Sequence, residues 1–164
     1  MRTWLTMVVF SIIAIAARGD ARPNIFFAIA DDWSWPHAGV YGDTVVKTPT
    51  FDRIAREGVL FNHSYCCAAT CSASRASLLT GRWPHELESG ADLWGTLPAK
   101  FTVYPDLLEQ QGYVVGFMGK GWAPGQLGDR KRNPAGNSFQ SFAEFMKSVP
   151  AGKPWCFWYG SHDP

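Results

Sequence analysis

Asn24-Ile25-Phe26-Phe27-Ala28-Ile29-Ala30 runs directly into Asp31-Asp32. Every residue after the asparagine is apolar, without the polar alternation of a half-exposed strand, so the stretch predicts a strand covered on both faces in the centre of a parallel sheet. A second apolar run, Trp155-Cys156-Phe157-Trp158-Tyr159, predicts another such strand, and residues 113–118 a third. Helical patterns separate them. Thr48-Pro49 supplies a cap and a preset first position, Phe51, Ile54 and Ala55 share one face, and Gly58 is the stop. Val59-Leu60-Phe61 reads as a short strand. Residues 75–80, ended by Gly81, read as a helix, as does the segment from Tyr104-Pro105 to Gln111 with Gly112 as its stop. Residues 138–148 predict a further helix with Phe139, Phe142, Phe145 and Met146 on the core side. Residues 122–137, rich in Gly, Pro and charge, read as a mobile loop lining a cleft. Strands alternating with helices define an α/β fold with a mostly parallel sheet.

The amino terminus addresses the chain. Met1-Arg2 is positive, residues 4–17 are apolar, and Gly19-Asp20-Ala21 offers small residues for cleavage, the pattern of a signal peptide over residues 1–21. The alternative, a membrane anchor, needs roughly 20 apolar residues, more than this run supplies, so no stable membrane insertion is expected. Secretion or export to a periplasm follows. Residues 22–164 then form one unit, large enough for a single core. A formal charge of +1 and no Lys/Arg block exclude nucleic acid and acidic membranes as general partners. Of the four cysteines, Cys66, Cys67, Cys71 and Cys156, two could pair in an oxidising compartment. Their spacing matches neither a disulfide framework nor a zinc cluster.

In open parallel sheets, ligands bind beyond the carboxyl ends of the strands. Here those ends carry Asp31-Asp32, Gly119-Lys120 and His162-Asp163. If the strands are neighbours, two carboxylates, an ammonium and an imidazole converge on one rim. Adjacent carboxylates repel, and a hard divalent cation, best calcium, offsets that; the other reading is a solvated capping turn. Cys71 precedes a helix expected to start near Ala73, where free N–H groups favour an anion, and Arg75 on the first turn suits a tetrahedral oxyanion. The competing reading is a buried inert cysteine beside a surface arginine. His162 is either a strand-end histidine bonded to backbone or a proton donor.

Cys71-Ser72-Ala73-Ser74-Arg75, followed by Ala76-Ser77-Leu78-Leu79-Thr80-Gly81-Arg82, resembles the signature of the type I sulfatases. Further marks stand in the family's order: Arg22-Pro23-Asn24 before Asp31-Asp32, Thr48-Pro49-Thr50-Phe51-Asp52 before Gly58-Val59, and Gly112-Tyr113 before Gly119-Lys120. Within the family, Ser161-His162-Asp163-Pro164 and the run after Cys71 look most similar to sulfamidase-like and bacterial polysaccharide sulfatases. The resemblance implies an alkaline-phosphatase-like α/β sandwich, of which residues 22–164 would be the amino-terminal part of the catalytic domain, its sheet incomplete.

It also implies a chemistry. Cys71 would be converted by a formylglycine-generating maturation enzyme to an aldehyde whose hydrate attacks the sulfur of a sulfate ester or N-sulfate on a sulfated carbohydrate. Asp31, Asp32 and residue 71 would ligate calcium, Arg75 would stabilise the ionised hydroxyl, Lys120 would bridge it to sulfate, and His162 would protonate the leaving group. There are two departures. The family's histidine two residues after the lysine is Trp122 here, which could pack on a sugar ring; His37 and His85 are either stand-ins for the proton transfer or, as the sequence favours, ordinary surface residues. Family members also continue for several hundred residues, supplying an Asp-Asn metal pair and another lysine. The resemblance therefore predicts weak calcium binding and little turnover for this chain alone. An inactive remnant, or a phosphoester hydrolase of the same superfamily, are the alternatives.

Overall fold

The computed structural model describes residues 22–164, so the signal peptide expected over residues 1–21 lies outside the described residues. Four parallel strands form one sheet in the order β1-β4-β2-β3: β1 (Ile25–Ile29), β2 (Val114–Gly119), β3 (Asn137–Ser138) and β4 (Trp155–Gly160). β4 lies between β1 and β2, with Ile29 and Gly119 both level with Gly160. Since the strands are parallel and end in register, the residues that follow them emerge along one rim.

Among the described residues β4 has a paired strand on each side. Cys156, Phe157 and Trp158 of β4 are buried, whereas β1 is an edge strand whose residues alternate between half-buried and exposed. Phe26 of β1 is 54% exposed, since among the described residues β4 is the one strand paired with β1. Its ring nonetheless stacks on Phe157 at 6.1 Å and meets Phe142 edge-on at 5.7 Å.

Helices α1 (Pro49–Glu57), α2 (Cys71–Thr80), α3 (Tyr104–Gln110) and α4 (Phe142–Ser148) follow the predicted segments with two corrections. Residues 59–61 form no strand, and Val59 and Phe61 are exposed, because no neighbouring strand accepts their backbone hydrogen bonds. Residues 137–138 belong to β3, so α4 starts late, at Ser141, whose hydroxyl accepts from the Glu144 N–H at 3.0 Å while the Glu144 carboxylate accepts from the Gln140 N–H at 2.9 Å. Phe145 is the side chain that α4 buries; Phe142 and Met146 stay more than a third exposed.

α2 sets the core. Ala73, Ala76 and Leu79 fall three residues apart and are buried, and Leu79 and Ala76 pack with Leu87, Leu97, Phe117 and Trp158. Each large apolar side chain so buried contributes about 1.5–3 kcal/mol. Gly81 ends the helix at φ +67°, where a Cβ would be strained.

Residues 122–136 are without helix or named strand and are stapled down by side chains. Arg132 pairs with Asp106 at 3.0 Å and Glu109 at 2.6 Å, and Arg130 donates to the carbonyls of Leu97, Pro98 and Phe101. Trp122, 2% exposed, belongs to the core, which overturns its expected role as a platform for a sugar ring. Among the described residues no helix is long and apolar enough to cross a membrane.

Candidate active site

Cys71 is the first residue of α2, two positions earlier than the sequence suggests, so its side chain stands at the free N–H groups of a ten-residue helix. The helix end faces the rim where β1 and β2 finish. Asp31, two residues past β1, is buried, and its backbone N–H donates to the Ser161 hydroxyl at 3.2 Å, tying β1's exit to β4's. The Cys71 thiol approaches the Asp31 carboxylate at 3.9 Å, and the Lys120 ammonium, one residue past β2, lies 3.3 Å from the Cys71 sulfur and also bonds Asp31.

Arg75 locks the group from beneath. One turn after Cys71, its guanidinium donates to Asp31 Oδ1 at 3.0 Å and to the Gly121 carbonyl at 2.9 Å, and also reaches the Lys120 carbonyl. The Trp158 indole N–H reaches that same Lys120 carbonyl at 3.0 Å, and the Arg75 guanidinium lies over the Trp158 ring at 5.8 Å. Ser72 ties its hydroxyl to the Pro124 carbonyl. Sequence reasoning missed Trp158, Ser161 and Ser72. The two serines adjoin predicted site residues, which is a usable signal, whereas Trp158 is indistinguishable from core within its apolar strand.

The charges support one another. Burial alone would push the Asp31 carboxyl upward, but hydrogen bonds and charge from Lys120 and Arg75 outweigh it and hold its pKa below the usual carboxylate value. Burial likewise opposes the Lys120 ammonium, and Asp31 and Cys71 outweigh that, raising its pKa. Asp31 thus stays anionic and Lys120 cationic at neutral pH.

Ligand atoms of Asp31, Asp32 and Cys71 all lie within 4.8 Å of one another. Two carboxylates suit calcium, but a thiol is a soft ligand that a hard cation disfavours. The donor set therefore fits calcium when residue 71 presents oxygen in place of sulfur. Asp32 adopts φ +52° and is exposed, its side chain lining the hollows on either side.

His162 follows β4 on the same rim, is exposed, and reaches to 4.0 Å from where a Cβ on Gly119 would stand. Hydrogen bonds join Asp31, Cys71, Arg75 and Lys120, and Asp32 lies within ligand distance of Asp31 and Cys71, whereas His162 stands beside this group. His37 pairs with Asp43 at 3.3 Å, and the exposed His85 lies past the far end of α2 from Cys71.

The parallel sheet with α2 starting at its strand ends is an α/β arrangement, and the likeness to the solved structures below makes the fold alkaline-phosphatase-like. The sulfatase family profile matches residues 23–158, and the chain belongs to the sulfatase family. It is 35% identical over 130 residues to the N-acetylgalactosamine-6-sulfatase of Canis lupus familiaris, covering 71% of this chain and 25% of that protein. The chain spans about a quarter of the length of such curated relatives. Among solved structures it resembles BT4656 in complex with its substrate D-glucosamine-2-N,6-O-disulfate (TM-score 0.68, 26% identity, 85% of this chain and 34% of that one). It also resembles the phosphonate monoester hydrolase of Agrobacterium radiobacter (TM-score 0.56, 26% identity, 82% and 25%).

Proposed function

We propose that the protein hydrolyses sulfate esters or N-sulfates of a sulfated glycan, using residue 71 as a formylglycine nucleophile. The observation that carries this is Cys71 at the first turn of α2, with the Lys120 ammonium 3.3 Å from its sulfur and both within reach of a carboxylate held by a buried arginine. A thiol there is a poor match to two carboxylates; an aldehyde hydrate offers oxygen to all of its neighbours. Calcium held by Asp31, Asp32 and residue 71 would acidify the hydrate and draw charge from a sulfate oxygen.

The chain's own residues do the rest. Lys120 sits between residue 71 and Asp31, where its charge stabilises a deprotonated hydroxyl and attracts the sulfate. Arg75 holds Asp31 and the Lys120 backbone in place and adds positive charge beneath the nucleophile. One hydroxyl attacks sulfur and the alcohol or amine leaves with a proton; His162, on the same rim, is the group we assign to supply it. The second hydroxyl then loses its proton and expels sulfate, regenerating the aldehyde.

This reading carries a signal peptide over residues 1–21, export from the cytoplasm, a maturation enzyme as partner, and residues 22–164 as the amino-terminal part of the catalytic domain. The decisive experiment is mass spectrometry of the tryptic peptide over residues 57–75 after co-expression with a formylglycine-generating enzyme. The aldehyde at residue 71 supports the mechanism, and an unmodified thiol removes it. A second reading, hydrolysis of a phosphorus ester, is favoured by the likeness to a phosphonate monoester hydrolase. Calorimetric binding of inorganic sulfate against methylphosphonate to the matured protein, which needs no turnover, separates the two: preference for sulfate supports the first reading and preference for the phosphonate the second.

A further inference from the structure

Three of the chain's four cysteines gather at one hollow. Residues 64–71 line without a break the space of about 630 Å³ in front of Asp31, which puts Cys66 and Cys67 on the same walls as Cys71. All three are free thiols in this structure. Neither Cys66 nor Cys67 joins the group of Asp31, Asp32 and Cys71 that could hold one cation, so a role as extra metal ligands does not account for them. The fourth cysteine, Cys156, is buried near the start of β4, at the opposite end of that strand from the rim.

Cys71 is fixed as the first residue of α2, but the segment before it is free to shift. Among the described residues no backbone group of residues 62–69 hydrogen-bonds to other backbone, so moving this segment breaks no ladder. The chain bends at residues 67, 69 and 70, and Ala68 and Ala69 put little bulk between Cys67 and Cys71. A disulfide needs Cα atoms within about 7 Å of one another, a separation open to a bent segment of this length. Direct pairing of the adjacent Cys66 and Cys67 would instead close a small ring that forces the peptide between them away from planar trans geometry.

We infer that Cys67 and Cys71 form a reversible disulfide that withholds residue 71 from conversion to the aldehyde until it is reduced. This rests on the formylglycine reading and adds a regulation of the same site. The oxidant is a small-molecule or protein disulfide. The Cys67 thiol gives up its proton and attacks one oxidant sulfur, and the other oxidant sulfur leaves as a thiol. The Cys71 thiol then gives up its proton and attacks the Cys67 sulfur of the mixed disulfide, and the second oxidant thiol leaves. Two thiols of the chain are thereby oxidised and one external disulfide is reduced. Exchange with an external thiol in the reverse direction reopens the bridge. While it is closed, residue 71 has no thiol for a maturation enzyme to act on.

The test begins with the full chain in oxidised glutathione. Free thiols are blocked with iodoacetamide and the tryptic peptide over residues 57–75, which holds Cys66, Cys67 and Cys71, is weighed. It should carry one blocking group, at Cys66, be otherwise two hydrogens lighter than the reduced peptide, and give no fragments from between residues 67 and 71. Cys66→Ser should keep the bridge and Cys67→Ser should lose it. A wild-type peptide in which Cys71 is blocked, linked to Cys66, or joined only to glutathione overturns the proposal. Co-expression with a formylglycine-generating enzyme in an oxidising compartment reads the consequence: Cys67→Ser should carry more aldehyde at residue 71 than the wild type, and equal, non-zero yields overturn the withholding role. Aldehyde in a wild-type chain that never forms the bridge removes the disulfide alone. A bridge in the wild type with no aldehyde even in Cys67→Ser removes the formylglycine mechanism alone.

Discussion

Arg75 and Asp31 form an ion pair of 3.0 Å whose side chains are 2% and 9% exposed. Its partners come from α2 and from the exit of β1, so the pair joins the nucleophile's helix to the sheet. Arg75 also satisfies the carbonyls of Lys120 and Gly121. Arg75→Leu therefore leaves a buried carboxylate with one cation and carbonyls short of a donor. We expect a loss of about 3–5 kcal/mol, measured by urea denaturation.

Lys120 occupies one oxygen of Asp31 and stands beside residue 71, two of the three calcium ligands we propose. In the unmatured chain, with few oxygen ligands, calcium binding should be weak, in the millimolar range. Lys120→Gln removes a competing positive charge, so calorimetry should show tighter calcium binding than in the wild-type chain. Asp32→Asn should weaken it further. Equal affinity in Lys120→Gln and wild type would show that the ammonium does not compete for the site.

Gly119 has φ +73°, and a Cβ there would land on the Gly160 carbonyl oxygen. That carbonyl accepts the Lys120 N–H at 2.9 Å, so side-chain bulk at 119 must move the lysine's own backbone. Gly119→Ala should cost at least about 1–2 kcal/mol from the left-handed conformation alone, read as a lower urea midpoint.

Cys156 is the second residue of β4, where burial pushes its thiol from 9.0 up to about 11. The folded-state value lies above the unfolded one, so the unfolded chain loses this proton first. The thiol's contribution to stability is complete below pH 9 and is lost as pH rises toward 11. Tyr104, also raised by burial and by Cys156, adds its own loss above pH 10. In Cys156→Ala the alkaline decline should begin nearer pH 10, as followed by urea midpoints from pH 8 to 11.

The comparison of sequence with fold turns on range. The helix punctuation at Thr48-Pro49, Gly58, Gly81 and Gly112 is local chemistry, and α1, α2 and α3 end beside those glycines. Residues 59–61 and 137–138 misled in opposite directions, because a strand of two or three residues exists only if a neighbour offers its hydrogen bonds. Trp122 misled for a related reason: motif alignment gives its position in the chain, while Asn133 and Ala135, more than ten residues on, turn its ring inward.

What the sequence alone determined is the parallel α/β plan and the family, and it singled out Asp31, Asp32, Cys71, Arg75 and Lys120 as candidates, since apolar runs and a contiguous motif are properties of neighbours along the chain. What only the tertiary structure decided is the strand order among the described residues, that Arg75 is spent on Asp31 and two carbonyls, that Trp158 supports Lys120, and that Trp33 lines the hollow at Cys71 while Trp122 is buried in the core. Each depends on contacts between residues far apart in sequence, where burial and hydrogen-bond geometry are set by the packed sheet and helices together.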